Sequence, residues 1–269
     1  MNTSMERANF SRRAAVWTAL LLGWPAAAAA GVNEWTSTGP GQTINIVVPG
    51  VAENRLYAGS VDGLYRSDND AGTWERLTDS LTGHIVLSVV TAASESGDER
   101  LYAGTHLGLY LSANGGATWT RAADPGGGIM SLATSPSPTI AEAVVYAGTF
   151  GRGVYVSRNG GVTWSRSNDL VDAQVYTLEA AALDAATVYA GTADGLYVSR
   201  DSGESWSAVG TALQGLSVRA VYLSSVDPNH LVVGTYGDGV LRSFDGGSSW
   251  ATASIGLNPP QVRSLAADE

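Results

Sequence analysis

The chain has no cysteine, so disulfides, thiolate metal sites, cysteine nucleophiles and a lipidated N-terminal cysteine are excluded. It also has no lysine: all 15 basic residues are arginine, which together with abundant alanine and glycine reads as a base-composition bias. Positive charge is scarce. Acidic residues number 25, and beyond residue 30 the balance is 24 acidic to 12 basic, a net charge near −12. Such a surface repels phosphate backbones and anionic headgroups, so nucleic acid and peripheral membrane binding are excluded as expectations. No segment beyond residue 30 sustains a helical period, which leaves extended structure as the expectation for the rest of the chain.

The one long apolar run is N-terminal. A basic start, MNTSMERANFSRR, precedes AAVWTALLLGWPAAAAA, and Ala28-Ala29-Ala30 forms an A-x-A-like cleavage site before Gly31. Residues 1–30 therefore read as a secretory signal peptide, with residues 31–269 as the mature protein, secreted or periplasmic and free of membrane insertion after cleavage. Arg12-Arg13 after Ser11 resembles a twin-arginine signal, although Ala14 and Ala15 stand where bulkier apolar residues are usual; an ordinary secretion signal reads equally well.

What the chain does have is a repeat. Trp74, Trp119, Trp164, Trp206 and Trp250 are spaced 45, 45, 42 and 44 residues apart, and Trp35 lies 39 residues before Trp74. Each of the five ends a similar octet: SDNDAGTW, SANGGATW, SRNGGVTW, SRDSGESW and SFDGGSSW. Upstream of these stand LYAG, LYAG, VYAG, VYAG and LVVG, followed by GLYRS, GLYLS, GVYVS, GLYVS and GVLRS. With a run such as HIVLSVVTA or VYTLEAAAL before them, each repeat holds four short Val-, Leu-, Tyr- and Thr-rich segments bounded by Gly, Asp, Asn and Ser. These are strands. Four strands per 42–45 residues predict an all-β fold, a β-propeller of four-stranded antiparallel blades. Five complete blades span about 44–254. Glu34-Trp35-Thr36 reads as a lone outer strand before them, and QVRSLAADE (261–269) as a first, inner strand after them, an incomplete sixth blade that suggests a truncated or longer propeller.

The octet falls on the hairpin between third and fourth strands and resembles the Asp-box, S-x-D-x-G-x-T-W. This box is found in sialidases, sortilin-type receptors, some glycosidases and photosystem II assembly factors, and the repeat consensus is closest to that of the last group. The resemblance implies a propeller over essentially the whole mature chain. Its positions are Ser67, Asn69 and Trp74; Ser112, Asn114 and Trp119; Ser157, Asn159 and Trp164; Ser199, Asp201 and Trp206; Ser243, Asp245 and Trp250. Asp or Asn can cap nearby N–H groups, Gly supplies positive φ, and Trp is an apolar plug. Asn cannot act as an acid, base or nucleophile, and three copies carry it. The octet is a structural clip.

Function is therefore expected on the opposite face and in the mouth of the channel. The tips of the second-to-third hairpins vary: Val61-Asp62, His106-Leu107, Phe150-Gly151-Arg152, Ala193-Asp194 and Tyr236-Gly237-Asp238. Asp62, Asp194 and Asp238 suit turns before Gly, whereas turn chemistry does not call for Phe150 or Tyr236. One recurring first-strand position holds Asn45, Leu87, Met130, Tyr176, Arg219 and Arg263; pointing inward, Tyr176, Arg219 and Arg263 would line one sector. The binding candidates are Phe150, Arg152, Tyr236, Asp238, Asp62, Asp194, Tyr176 and Arg219.

Enzyme readings are weaker. The R-I-P motif of sialidases is absent, the matching strand reading INIVVPG, and strand alternation sets Glu179 and Tyr176 on opposite faces. His84, His106 and His230 are assigned to three different blades without metal-ligand spacing. Asp62, Asp169, Asp172, Asp194 and Asp238 could furnish a glycosidase pair, but none stands out. No cofactor motif, nucleophile elbow or phosphate loop occurs. The expectation is a non-catalytic binding or assembly scaffold for a protein or glycan, with a carbohydrate-active hydrolase, sialidase-like or two-carboxylate xyloglucanase-like, as the alternative.

Overall fold

The computed structural model describes residues 43–77, 81–93, 99–137, 143–258 and 260–266. The expected signal peptide and the strand at Trp35 lie outside these residues. Five four-stranded antiparallel sheets follow one another along the chain. Blade one is β1–β4 (Ile44–Pro49, Leu56–Ser60, Gly63–Ser67, Glu75–Leu77), and blade two is β5–β8 (Val86–Ala93, Glu99–Thr105, Gly108–Ser112, Thr120–Gly126). Blade three is β9–β12 (Ile129–Thr134, Val145–Thr149, Val154–Ser157, Ser165–Arg166), and blade four is β13–β16 (Val175–Ala180, Val188–Thr192, Gly195–Ser199, Ser207–Ala208). Blade five is β17–β20 (Val218–Leu223, Leu231–Thr235, Val240–Ser243, Ala251–Thr252). The architecture is the all-β propeller expected.

Within each sheet the strands lie in sequence order, and the first strands of successive blades are neighbours. Both faces of a middle strand are thus covered, which is why β10 and β14 are buried at every residue. Glycine makes the close stacking feasible. A Cβ on Gly59, Gly104, Gly148 or Gly191 of the YAG run would come within about 3 Å of Val86, Ile129, Val175 or Val218, the opening residue of the next blade's first strand.

A feature that sequence periodicity alone does not reveal recurs in all five inner strands. Pairing with the second strand skips one residue: Asn45, Leu87, Met130, Tyr176 and Arg219. Each is a β-bulge, which kinks the strand and breaks its two-residue alternation. Val175 and Leu178, three apart, consequently enter the same core cluster, as do Val218 and Val221 in blade five. The simple parity argument that opposed Tyr176 to Glu179 is therefore corrected: the extra residue at Tyr176 cancels it.

After blade five the chain begins the same pattern again. Val262 donates its N–H to the Thr235 carbonyl at 2.9 Å and packs over Gly234, and Gln261 bridges Tyr236. No strand forms over 260–266, so this segment takes the place of an inner strand through its first contacts only.

Candidate functional site at the channel mouth

The two ends of the propeller are built differently. At one end sit the Asp-boxes. Ser157 Oγ donates to Asn159 Oδ1 (3.0 Å) and accepts the Gly161 N–H (2.8 Å), while Asn159 Oδ1 accepts the Thr163 N–H (2.9 Å). The copies divide by chemistry. Asn69, Asn114 and Asn159 each donate Nδ2–H to the hydroxyl of Thr73, Thr118 or Thr163. At Asp201 and Asp245 the polarity reverses, and Ser205 and Ser249 donate to the carboxylate. Those hydroxyls, with backbone N–H groups, hold both carboxyls down at about 2. The side chain at this position is consumed by its own turn.

Each turn also grips its surroundings. Asp70, Ser202 and Gly246 donate N–H to carbonyls of the first-to-second-strand loops, and Gly115 to the carbonyl of Glu99 at the start of β6, which places those loops on the Asp-box face. Trp119, Trp164 and Trp250 donate Nε1–H to the carbonyls of Gly116, Gly161 and Gly247, and Trp206 donates to Ser167 Oγ (2.8 Å). The Asp-box glycines press on the preceding blade, where a Cβ on Gly203 would stand 2.8 Å from Val156 Cγ2. Between blades one and two, buried Glu99 accepts from Tyr57 Oη (2.6 Å), Arg55 (3.1 Å) and the Val51 N–H (2.5 Å).

The opposite end gathers the hairpin tips and the bulges. Arg219 leaves the bulge of β17 and lays its guanidinium 3.5 Å from the ring centroid of Tyr176, the bulge residue of β13; Tyr236, at the tip of blade five, is 5.3 Å away. Its Nε donates to Ser217 Oγ (3.0 Å), which fixes the plane of the group. Tyr176 donates its hydroxyl to Gln174 Oε1 (2.7 Å), and Gln174 forms a backbone bridge with Phe150 at the tip of blade three. Tyr236 makes the matching bridge with Gln261. Phe150 is 58% exposed and Tyr236 46% exposed. The structure thus brings Phe150, Tyr176, Arg219 and Tyr236 into one arc across blades three to five.

The other candidates are placed apart from it. Asp62 pairs with Arg76 at 2.8 Å, and Asp194 accepts the Gly215 N–H at 3.0 Å. Asp238 is exposed, its N–H capped by Thr235 Oγ1 at 3.0 Å, and it shares the Tyr236 hairpin. Arg152 is exposed beside the Gly126–Gly127 backbone. Arg263 is exposed one blade beyond Arg219. Of the remaining carboxylates, Asp169 accepts the Trp206 N–H at 2.9 Å and Asp172 pairs with Arg166 at 2.8 Å.

The histidine reading needs correction: His84 and His106 meet at the same blade, their rings 6.0 Å apart, because His84 lies two residues before β5 of blade two and the hairpin tip of that blade holds His106. His106 Nδ1 accepts the Ile85 N–H at 3.1 Å, and burial lowers the His84 pKa. Among the described residues no group of three metal-ligating side chains gathers.

Residues 155–166, the third clip with its flanking strands, match the BNR/Asp-box repeat family. The chain is a β-propeller that carries an Asp-box repeat. The Asp-box propeller superposes on an ancestral GH74 enzyme with a TM-score of 0.68 at 21% identity, over 86% of this chain and 34% of that one. It also superposes on the GH74 xyloglucanase of Xanthomonas campestris (0.54, 19%, 80% and 46%) and on YCF48 of Cyanidioschyzon merolae (0.55, 14%, 81% and 82%). The chain therefore spans about a third to a half of the GH74 structures, and at these identities the likeness is one of fold. No curated protein matches the sequence.

Two members of the propeller's site were not singled out from the sequence: Ser217 and Gln174. Both stand two residues before their bulge, where other blades carry Thr43, Ile85 and Gly128, so their polarity was a faint signal. Glu179 lies on the inner strand opposite Tyr189, with no hydrogen-bond partner among the described residues, and burial pushes its carboxyl up to about 7. Tyr176 gives its hydroxyl to Gln174.

Proposed function

We propose that the protein is an exported, non-catalytic binding or assembly module, freed of residues 1–30 on export, that engages a protein or glycan on the face opposite its Asp-boxes. The observation that carries this reading is the Arg219 guanidinium laid against Tyr176 and near the exposed ring of Tyr236, with exposed Phe150 at the tip of blade three. Surface sites that recognise partners combine exposed aromatic groups with a few oriented polar ones. The clip face, by contrast, spends its polar groups on itself. Among the described residues no helix is long and apolar enough to cross a membrane, which is consistent with action outside it.

A hydrolase reading has the GH74 neighbours in its favour, but it needs two free carboxylates about 5–10 Å apart across a cleft. Asp62, Asp169, Asp172 and Asp194 are each committed to an arginine or a backbone N–H. The test is to assay residues 31–269 on xyloglucan and sialosides and to screen binding on glycan and extracellular-protein panels. No turnover is expected, together with binding that disappears in a Phe150→Ala/Tyr236→Ala double variant and persists in Val162→Ala on the clip face. Turnover, or binding indifferent to the double variant, would overturn the reading.

A further inference from the structure

We propose that Asn159 is a self-modification site, at which the Gly160 nitrogen closes on Asn159 Cγ and deamidates it, so that the third clip is chemically labile. The chain holds two Asn–Gly steps, Asn114–Gly115 and Asn159–Gly160, each inside an Asp-box and each followed by a second glycine. Glycine has no Cβ to obstruct attack by its own amide nitrogen, so the two steps are equally prone to cyclise in an unfolded chain. The fold makes them unequal.

At the electrophile the two copies agree. Asn159 Oδ1 accepts from Ser157 Oγ (3.0 Å) and the Thr163 N–H (2.9 Å), and its Nδ2 donates to Thr163 Oγ1 (2.8 Å). Asn114 has the same contacts with Ser112 and Thr118, at 2.9, 2.9 and 3.0 Å. Two donors on Oδ1 withdraw electrons from Cγ and stand where negative charge gathers when Cγ turns tetrahedral. The nucleophiles differ. In the other four clips the N–H at this position donates to a backbone carbonyl, in the second clip from Gly115 to Glu99 at 2.8 Å. The Gly160 N–H has no acceptor among the described residues, while its carbonyl accepts from Tyr102 Oη (2.8 Å) and Arg100 Nη1 (3.1 Å). An engaged N–H must surrender its hydrogen bond before it can ionise and attack; the Gly160 N–H surrenders none.

The reaction consumes only hydroxide and water. Hydroxide takes the Gly160 amide proton, the nitrogen bonds to Cγ, and the Cγ–Nδ2 bond breaks, Nδ2 leaving as ammonia beside the Thr163 hydroxyl. Water then opens the five-membered imide. Cleavage of the bond from nitrogen to Cγ leaves aspartate; cleavage of the bond from nitrogen to the backbone carbonyl carbon leaves isoaspartate, with the main chain running through Cγ. The clip already accommodates aspartate, because at Asp201 and Asp245 the partner hydroxyl donates instead of accepting. Isoaspartate adds a methylene to the main chain and loses the cap. It shifts the Gly160 carbonyl from Tyr102 and Arg100, and moves Gly161 in a seat where a Cβ would already stand 2.6 Å from Leu111 and Tyr102. The modification thus loosens the junction of blades two and three.

The experiment is to hold residues 31–269 in mildly alkaline buffer, folded or unfolded in urea, and to follow both steps by peptide mass mapping with fragmentation that separates aspartate from isoaspartate. In the folded protein Asn159 is expected to convert at least tenfold faster than Asn114, giving both products, and in urea the two should convert equally. Equal rates in the folded state, or Asn114 the faster, would overturn the assignment, as would an Asn159 that stays intact while the unfolded sample converts. Asn159 still tenfold faster in urea would trace the difference to local sequence and overturn the role of the fold. Aspartate without isoaspartate would overturn the cyclic route. The isoaspartate-bearing fraction, isolated by ion exchange, should melt below the parent, and Asn159→Asp should melt with it. An isoaspartate-bearing fraction as stable as the parent would overturn the loosening of the junction.

Discussion

The clip face and the channel-mouth face are made from the same five repeats, yet they obey opposite rules. On the clip face each copy solves one problem, closing a tight turn against the preceding blade, and the solution tolerates only small changes. Asn with Thr and Asp with Ser are two versions of it, matched so that the hydroxyl always has an acceptor or donor opposite. On the mouth face the same repeat positions hold Val61, His106, Phe150, Ala193 and Tyr236, or Asn45, Leu87, Met130, Tyr176 and Arg219. These side chains lie at hairpin tips or at bulges outside the regular ladder, and so are not held to one residue type by the repeat. Uniformity within a repeat therefore marks load, and variation marks freedom to bind.

Substitutions can break this comparison, and the largest effect belongs to the clip face. Gly203→Ala forces a Cβ to 2.8 Å from Val156 at a φ of 84°, and combines left-handed strain with overpacking. It should cost about 3 kcal/mol in urea unfolding. If Gly203→Ala melts within a degree of the parent, the clip does not brace the blades. Next, Asp201→Ala removes the acceptor for Ser199, Ser205 and two N–H groups and should cost roughly 1–2 kcal/mol at neutral pH. The Asp201 carboxyl is held at about 2, below its ordinary value, so its contribution is present above about pH 4 and is lost as pH falls toward 2. Asp201→Asn should flatten acid unfolding in that window alone.

Glu179 has the opposite sign. Its carboxyl is raised to about 7, so the native state favours the protonated form and stability declines as pH rises from about 4.5 through 7. Glu179→Gln should leave stability unchanged at pH 4 and add roughly 1–2 kcal/mol at pH 8, a value reduced for the partial exposure of the side chain. A pH-independent change would show that the carboxyl is solvated. The smallest effects on folding belong to the mouth face: Phe150→Ala and Tyr236→Ala should each shift stability by no more than about 0.5 kcal/mol. A loss above 2 kcal/mol in either would mean that the exposed rings are structural.

Much of the fold was legible because a propeller states its plan once per blade. Five tryptophans at intervals of 42–45 residues, each with its YAG run upstream, were enough to predict strand number, strand order and the face on which the clips lie. Trp206 shows the limit of that legibility. Its octet looks like the others, yet its Nε1–H goes to Ser167 in the previous blade's connection, whereas Trp119, Trp164 and Trp250 turn theirs onto their own glycine. The site was legible in its members and not in its assembly. Tyr176, Arg219 and Tyr236 could each be singled out, but their stacking depended on a bulge in two strands 43 residues apart in sequence.

The sequence by itself determined the blade: its four strands, its turn chemistry, and the glycines that let neighbouring sheets approach. Those are local requirements, satisfied residue by residue through φ, hydrogen-bond capacity and side-chain size. Only the tertiary structure decided which variable residues would meet. It set Arg219 on Tyr176 rather than beside an aspartate, committed Asp62 and Asp194 to their own hairpins and loops, and brought His84 and His106 together at one end of a single blade. The physical reason is that an extra residue in each inner strand reverses side-chain direction at one point. A single reversal, repeated around a ring, gathers distant positions at the same mouth.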